Sequence, residues 1–394
     1  MRPLTRLDRF RGCLLGLAVG DALGAPLEGL SAQQIRAHYG LVVDYVDGAR
    51  AWKKKPYRWR MPGLYSDDTQ QALALCDTLL EQRRVDPDRL AGLYMSLATP
   101  KGAYVGAHRG VGRSFRQVLA DLERGIPPLE AGQLSAGVGA AMRIAPVALY
   151  FEDEPHSVFD AVMNASLMTH RDIRSLAGAF AVAHAVRRLS AGEARDPSFL
   201  LWLAADVSRE EERIATGFSH VVTSLTCHRR SVSRAIAHVE SLLELPRDRA
   251  FSALVEEANR HGAEPACKRP TMGFPPACIP TCLYLLMTTE CFEEAVIDVI
   301  NLGGDTDTAG AILGALAGAH YGVDAIPSKW LAGLQNREPI DHRAYALHDR
   351  SVDGLDIPDL IAREHELSNK EAECRENLLA HSQNGGDLGA NRVY

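Results

Sequence analysis

Four residues able to ligate or hydrogen-bond stand in a row in "NLGGDTDTAG": Asp305, Thr306, Asp307 and Thr308, with Gly303 and Gly304 before them and apolar helical patterns on both sides. Carboxylates set against a core are costly unless something positive holds them. Positions i and i+2 of a helix do not share a face, so two aspartates aimed at one place require a turn, which the glycines permit. An Asp or Thr ahead of an apolar helix is also a common N-cap, but capping uses one such residue and here there are four. "YSDDTQQALALC", 65–76, has the same grammar, with Ser66, Asp67 and Asp68 mirroring Asp305, Asp307 and Thr308. Adjacent side chains project differently, so Asp67 and Asp68 suit two neighbouring ions better than one. The set is all oxygen, suited to Mg²⁺ or Mn²⁺ rather than zinc. From spacing alone, a shared ion site and two independent helix caps both stand.

Four further segments carry candidate chemistry. In "GLAVGDALGAPLEG", 16–29, Glu28 could act as general base or position water, and Asp21 could cap or brace a helix; spacing alone favours a structural acid for each. In "SAGVGAAMRIAP", 135–146, Gly137 and Gly139 precede an apparent helix whose start could hold phosphate oxygens, with Arg143 adding a charged contact. Tight helix packing is the plainer reading. In "MTHRDIRSL", Thr169 and Asp172 read as a capping box, which puts His170 at a helix start facing an anionic ligand. "WKKKPYRWR", 52–60, mixes cations with aromatics and leaves nucleic acid or a polyphosphate open as a partner, against a solvated loop face.

The elements that must position these residues are helical. Phe292, Ala295, Val296, Val299 and Ile300 fall on one helical face, and Leu73, Cys76, Leu79 and Leu80 repeat the pattern, as do Ile312, Leu313, Leu316 and Ala317. Small residues inside the apolar segments suit close helix approach. "LVVDYV", 41–46, is the best strand candidate. "RPTMGFPPACIPT", 269–281, reads as an ordered loop, and the chain beyond 350 as a polar extension, 351–394, ending in a loose tail. The net charge of −7 argues against gripping nucleic acid through the overall field. No apolar run approaches the ~18 residues of a membrane span, so no membrane is expected. The N-terminal apolar run reads as the first helix of the fold. The eight cysteines are scattered; Cys278 and Cys282 lack a completing pair for zinc, and reduced thiols in a cytoplasmic protein are expected.

Taken in order, "GLAVGDALGAPLE", "YSDDTQQALAL", "GAAMRIAP", "THRD" and "NLGGDTDTAGAILGALAGAHYG" resemble the ADP-ribosylglycohydrolase family, which includes the dinitrogenase-reductase-activating glycohydrolases. The resemblance implies one all-α domain over 5–350, a compact orthogonal multi-helix bundle with a central metal cleft. It implies two Mg²⁺ or Mn²⁺ ions held by Ser66, Asp67, Asp68, Asp305, Asp307 and Thr308, with Glu28, Asp67 and Asp305 as the catalytic acids. It places Ser135, Gly137, Gly139, Met142, Arg143 and His170 against ADP-ribose. The implied reaction is hydrolysis of the glycosidic bond between ADP-ribose and a protein or small-molecule acceptor.

The chain departs from the family pattern in its substrate-reading parts. Val138 replaces the usual Asn of a Gly-Asn-Gly loop, and Phe274 stands where a Tyr is frequent. "AHRGVGRSF", 107–115, offers His and Arg where arginine-specific bacterial members carry an acid, which argues against an arginine-linked substrate. Two other classes fit the same residues: a two-metal phosphohydrolase acting on a nucleotide or ADP-ribose derivative, and a non-catalytic ADP-ribose binder.

Overall fold

Glycine recurs at every fourth residue along both partners of the central helix pair. Helix Arg6–Gly24 carries Gly12, Gly16, Gly20 and Gly24, and helix Thr306–Tyr321 carries Gly310, Gly314 and Gly318. They run antiparallel, so close that a Cβ on Gly16 would stand 2.2 Å from the Gly314 carbonyl oxygen and one on Gly20 2.0 Å from that of Gly310. No side chain fits between them, so the backbones themselves make the contact. The register runs from Gly12 against Gly318 to Gly24 against Thr306, whose Oγ1 donates to the Gly24 carbonyl at 2.8 Å. The start of the second helix is thereby fixed beside the end of the first.

The computed structural model describes residues 3–99 and 106–383. Among the described residues there are twenty α-helices and four 3₁₀ turns, and β-structure is confined to isolated bridges. The fold is all-α, as expected. Helix Phe292–Asn301 buries the five residues its periodicity names. Helix Ile173–Ser190 is buried almost all round and packs against the central pair.

Several expectations are corrected. Residues 41–46 form no strand; the Val42 N–H and C=O pair with the side-chain amide of Asn301, at 3.0 and 2.9 Å, instead of with another strand. The Pro-rich segment becomes helix from Pro275 to Thr288. Pro275 and Pro276 occupy the first turn, where no N–H is needed. The first helix, continued to Leu27, is long and apolar enough to cross a membrane by length and composition, and 94% of that window is buried inside the bundle.

The segment beyond 350 is likewise not a loose extension throughout. Leu360–Gln383 is a helix packed against helices Asp67–Gln82 and Pro87–Ala98, and it buries Glu364 and Glu371. The tail expected from 381 lies, from 384 on, outside the described residues.

Candidate active site

Asp21, on the first helix, is fully buried and reaches the start of helix Asp67–Gln82. Its Oδ1 accepts from the Ser66 N–H at 2.8 Å; its Oδ2 accepts from the Thr69 N–H at 3.0 Å and the Thr69 hydroxyl at 2.6 Å. It therefore caps a foreign helix. Ser66 is that helix's own N-cap, and its Oγ donates to Asp68 Oδ2 at 3.0 Å. With its orphan N–H groups satisfied by Asp21 and Ser66, the helix start leaves Asp67 and Asp68 free to face a cavity.

The second acidic motif is held by backbone pairing. Gly303 (φ 71°) and Gly304 (φ 91°) adopt left-handed conformations, which L-residues with side chains disfavour. The Gly29 N–H donates to the Gly304 carbonyl at 2.7 Å, and the Gly304 N–H to the Leu30 carbonyl at 2.8 Å. This stitch sets Glu28 beside the motif. The Asp305 N–H is taken by the Thr271 carbonyl at 3.0 Å. Asp305 occupies the N-cap position of its helix without making a side-chain cap, so its carboxylate remains available to the cavity. Gly273 packs flat on it, and a Cβ there would lie 2.4 Å from Asp305 Oδ2.

Both motifs open into one cavity of about 420 Å³, within the range of small-molecule sites. Glu28, Asp67, Asp68, Asp305, Asp307 and Thr308 line it, together with Ser135, Gly137, Gly139, Met142, Arg143 and His170. Of the expected site residues, Ser66 alone is absent from this lining, being buried beneath Asp68. Burial, then repulsion from Asp21 and Glu28, pushes the Asp67 carboxyl up to about 8. Burial, then Glu28, pushes Asp305 up to about 6, against hydrogen bonds from Asp307 and Thr308. Asp68 and Asp307 are raised further, by burial first and by neighbouring acids next.

These acids share a wall without converging. Among the described residues, no three His, Cys, Asp or Glu side chains gather around a common point. Like charges stay apart unless a cation lies between them. The donor set nonetheless fits a hard divalent ion: all its ligands are oxygens, and Asp68 Oδ1 is buried with no hydrogen-bond partner. Cys278 and Cys282, by contrast, are buried within one helix, and Cys282 Sγ lies 3.5 Å from the Ala309 carbonyl.

The opposite wall is built largely from loops, and it corrects two expectations, the Thr169–Asp172 capping box and the helix after the glycine loop. Helix Ile173–Ser190 is capped by Asp172 alone, through the Arg174 N–H at 2.9 Å. No capping box involves Thr169, and His170 precedes the helix. The glycine loop leads into a single turn, Gly139–Met142, too short for a helix dipole to develop. Arg143 lines the cavity with both terminal nitrogens engaged by the protein: its Nη1 donates to Gln71 Oε1 at 2.6 Å and to the Gly139 carbonyl at 3.0 Å, and its Nη2 to the Ala165 carbonyl at 2.9 Å and to Thr169 Oγ1 at 2.5 Å. Gln71 in turn donates to Asp67 Oδ2 at 2.6 Å, so Arg143 braces Asp67 through Gln71.

His170 is not a cation. Burial, then the Arg143 charge, lowers its imidazole to about 3. The Thr169 hydroxyl oxygen takes a donor from Arg143 Nη2 and lies 2.9 Å from His170 Nδ1. Nδ1 is thus engaged by the protein, and Nε2 is left facing the glycine loop. Gly137 and Gly139 lie over the ring; a Cβ on either would stand 3.4 Å from Nε2.

In the 52–60 loop Trp52 and Trp59 are buried, their indole N–H groups donating to the Pro26 carbonyl and to Asp47, and Tyr57 is the exposed aromatic. In 107–115, where the sequence puts His and Arg in place of an acid, His108 and Arg109 are buried, with His108 Nε2 2.9 Å from the Tyr94 carbonyl. The cavity instead receives Arg58, Arg113 and Arg269. Arg58 lies over Trp52 and donates to the Glu28 carbonyl at 3.3 Å. Arg113 and Arg269 have no side-chain partner among the described residues. Arg58 and Arg113 lie in the two cationic segments the sequence marks, 52–60 and 107–115; Arg269, Gln71 and Gly273 carry no spacing signal, and folding alone brings the set together.

An all-helical scaffold that collects acids from two helix starts into one cavity is an arrangement a hydrolase can use. The chain belongs to the ADP-ribosylglycohydrolase family, whose sequence model matches residues 2–356, and it is an enzyme of that hydrolase class. It is 28% identical to the ADP-ribosyl-[dinitrogen reductase] glycohydrolase of Rhodospirillum rubrum over 88% of this chain and 95% of that one. It is 28% identical to human ADP-ribosylhydrolase ARH3 over 87% of this chain and 93% of that one. A solved structure of an "ADP-ribosylglycohydrolase-related protein complex" superposes with a TM-score of 0.63 at 30% identity, covering 88% of this chain and 99% of its own.

Proposed function

We propose that this enzyme reverses ADP-ribosylation by hydrolysing the glycosidic bond between ADP-ribose and an acceptor, with two Mg²⁺ or Mn²⁺ ions as cofactors. The observation that carries this reading is the shared cavity: two acidic helix starts on one wall, a glycine loop over a neutral histidine on the other, and three arginines at hand. Ser66, Asp67, Asp68, Asp305, Asp307 and Thr308 would hold the ions, which when bound supply Lewis-acid stabilisation and a nucleophilic water.

The chain's own groups account for the remainder. Arg58, Arg113 and Arg269 supply donors for a diphosphate. His170, neutral, offers Nε2 to a ribose hydroxyl, which can both donate and accept. The glycine loop lets the substrate backbone lie close, and Met142 gives it an apolar face. Breaking the bond builds oxocarbenium character at the anomeric carbon, which the surrounding carboxylates stabilise. As the water oxygen bonds to that carbon and the acceptor leaves, a Glu28 carboxylate oxygen takes the water proton and returns it to the leaving group.

The test is a panel of defined ADP-ribosyl conjugates on protein and small-molecule acceptors, incubated with Mg²⁺, Mn²⁺ or chelator and read by mass. Free ADP-ribose with its diphosphate intact, formed only with metal, is the expected product. AMP would assign the site to phosphoanhydride cleavage, and ADP-ribose binding without turnover would make the protein a binder.

A further inference from the structure

The buried ion pair Arg109–Glu364 joins helix Leu360–Gln383, which begins after the family match ends at 356, to the backbone that carries the first acidic motif. The Arg109 and Glu364 side chains are 2% and 0% exposed, and Nη2 lies 2.6 Å from Glu364 Oε2. The same carboxylate accepts from Gln70 Nε2 at 2.8 Å and from the Tyr65 hydroxyl. Arg109 Nη1 donates to Ser368 Oγ at 2.8 Å, and Ser368 Oγ to the Ala107 carbonyl at 2.6 Å. One turn on, Glu371 Oε1 accepts from the Met61 N–H at 3.2 Å.

The other end of this network touches the site. Arg109 Nε donates at 2.9 Å to the carbonyl of Tyr65, the residue before Ser66, and its guanidinium lies over the Tyr65 ring. Gln70, one turn into the Asp67 helix, accepts from the Arg109 N–H at 2.9 Å and donates to the Ala107 carbonyl at 2.9 Å. The next residue, Gly110 (φ 87°), passes so near Asp67 that a Cβ there would stand 3.2 Å from Asp67 Oδ1. Gly110, Gly112 and the first turn of helix Arg113–Glu123, through Phe115, line the cavity.

We propose that Glu364 and Arg109 are positioning residues of the active site. The C-terminal helix, through Glu364, fixes the Arg109 guanidinium, and Arg109 fixes both the peptide ahead of Ser66 and the 110–115 wall. A fully buried pair is weak grounds for stability, because two charges must be desolvated to form it. It is well suited to holding two backbone segments in one register, since a planar guanidinium with several fixed donors allows little slack. The inference rests on the cavity being the active site.

The double variant Arg109→Met/Glu364→Gln separates positioning from stability. It leaves no unpaired charge and keeps an acceptor for Tyr65. We expect a melting temperature near that of the full-length wild type, amide exchange in 65–70 and 107–113 about tenfold faster, and kcat lowered by about tenfold or more with a smaller change in KM. Wild-type kcat in the folded variant, or unchanged exchange in those two segments, would overturn the proposal. Should the double variant fail to fold, Ser368→Ala unpairs no charge and is expected to show the same pattern at about threefold; its absence overturns the proposal equally. If the wild type cleaves no conjugate, the reading of the function fails and the exchange measurement alone decides whether the network positions these segments.

Discussion

Asp68 and Glu364 are both carboxylates with almost no exposed surface, yet their surroundings differ in kind. Glu364 is met by Arg109, Gln70 and Tyr65. Asp172 is likewise met by Arg174 and Ser224, and Glu211 by Ser233 and the Val232 N–H. Asp68 has the Ser66 hydroxyl on one oxygen and nothing on the other, with Asp21, Asp67 and Asp305 near enough to raise its affinity for a proton. The bundle thus gives Glu364, Asp172 and Glu211 their own donors, and leaves a group of acids in mutual repulsion where two helix starts meet. Such an arrangement costs stability and persists where the groups have work to do on a ligand.

The comparison is tested first by removing acids from the cavity. Asp305→Ala and Asp68→Ala should each lower kcat by on the order of 10²–10³-fold, the scale of losing one preorganised electrostatic contact. Circular dichroism and the melting temperature of the chelated protein should stay the same or improve slightly, because repulsion is relieved. A fall in melting temperature as steep as that expected from breaking a paired acid such as Asp172 would erase the distinction between the two regions.

The acid wall also depends on the glycine-lined helix pair, since that contact holds the Thr306 helix start against Gly24. Gly314→Ala drives a methyl into the Gly16 carbonyl, where the space is 2.0 Å. Overpacking of this kind costs about 1–3 kcal/mol, read as a lower denaturation midpoint. If the Thr306 helix slides to relieve it, kcat should fall further than Gly178→Ala achieves at the less crowded contact with Pro275, 2.9 Å away.

On the loop wall the effect should be smaller and of another type. A hydrogen bond to a charged group contributes about 1.5–3 kcal/mol, so Arg269→Ala is expected to raise KM roughly tenfold and leave kcat within about twofold. A loss of kcat with unchanged KM would move Arg269 from binding to chemistry.

This asymmetry also governed what could be read from the sequence. The acid wall is two short, contiguous motifs at helix starts, so Asp67, Asp68, Asp305 and Asp307 are visible as acids ahead of apolar periodicity. The all-helical fold follows from the same periodicity. The loop wall draws residues from five separate segments. Arg269 stands before a proline run and nothing there singles it out, while Arg58 is one of several cations in 52–60 and the cluster does not say which of them enters the cavity. Arg143 shows what spacing cannot reveal: an arginine beside a glycine loop suggests phosphate, while the fold also engages its Nη1 and Nη2 with Gln71, Thr169 and two carbonyls. The C-terminal helix is hard to read because its apolar stripe is sparse: Leu360 and Leu367 are buried in the core, and the same face is completed by the two acids Glu364 and Glu371, which carry no apolar signature.

Glu211 tests the satisfied side of the comparison by pH. Burial pushes its carboxyl up to about 7, while Ser233 and the Val232 N–H pull it back. A carboxyl with a raised folded-state value binds its proton more tightly in the folded protein. The corresponding stability is fully present below the unfolded value near 4.5 and is lost as pH rises toward 7. A shift of this size corresponds to about 3 kcal/mol at most. Glu211→Gln carries no titrating proton, so its unfolding free energy should be flatter than the wild type's between about pH 4.5 and 7, measured by urea denaturation across that range. Parallel curves would show that the Ser233 and Val232 donors offset burial completely. Glu211 would then differ from the cavity acids even more sharply, since Asp68 has a single hydroxyl donor and no cationic partner to set against the same burial.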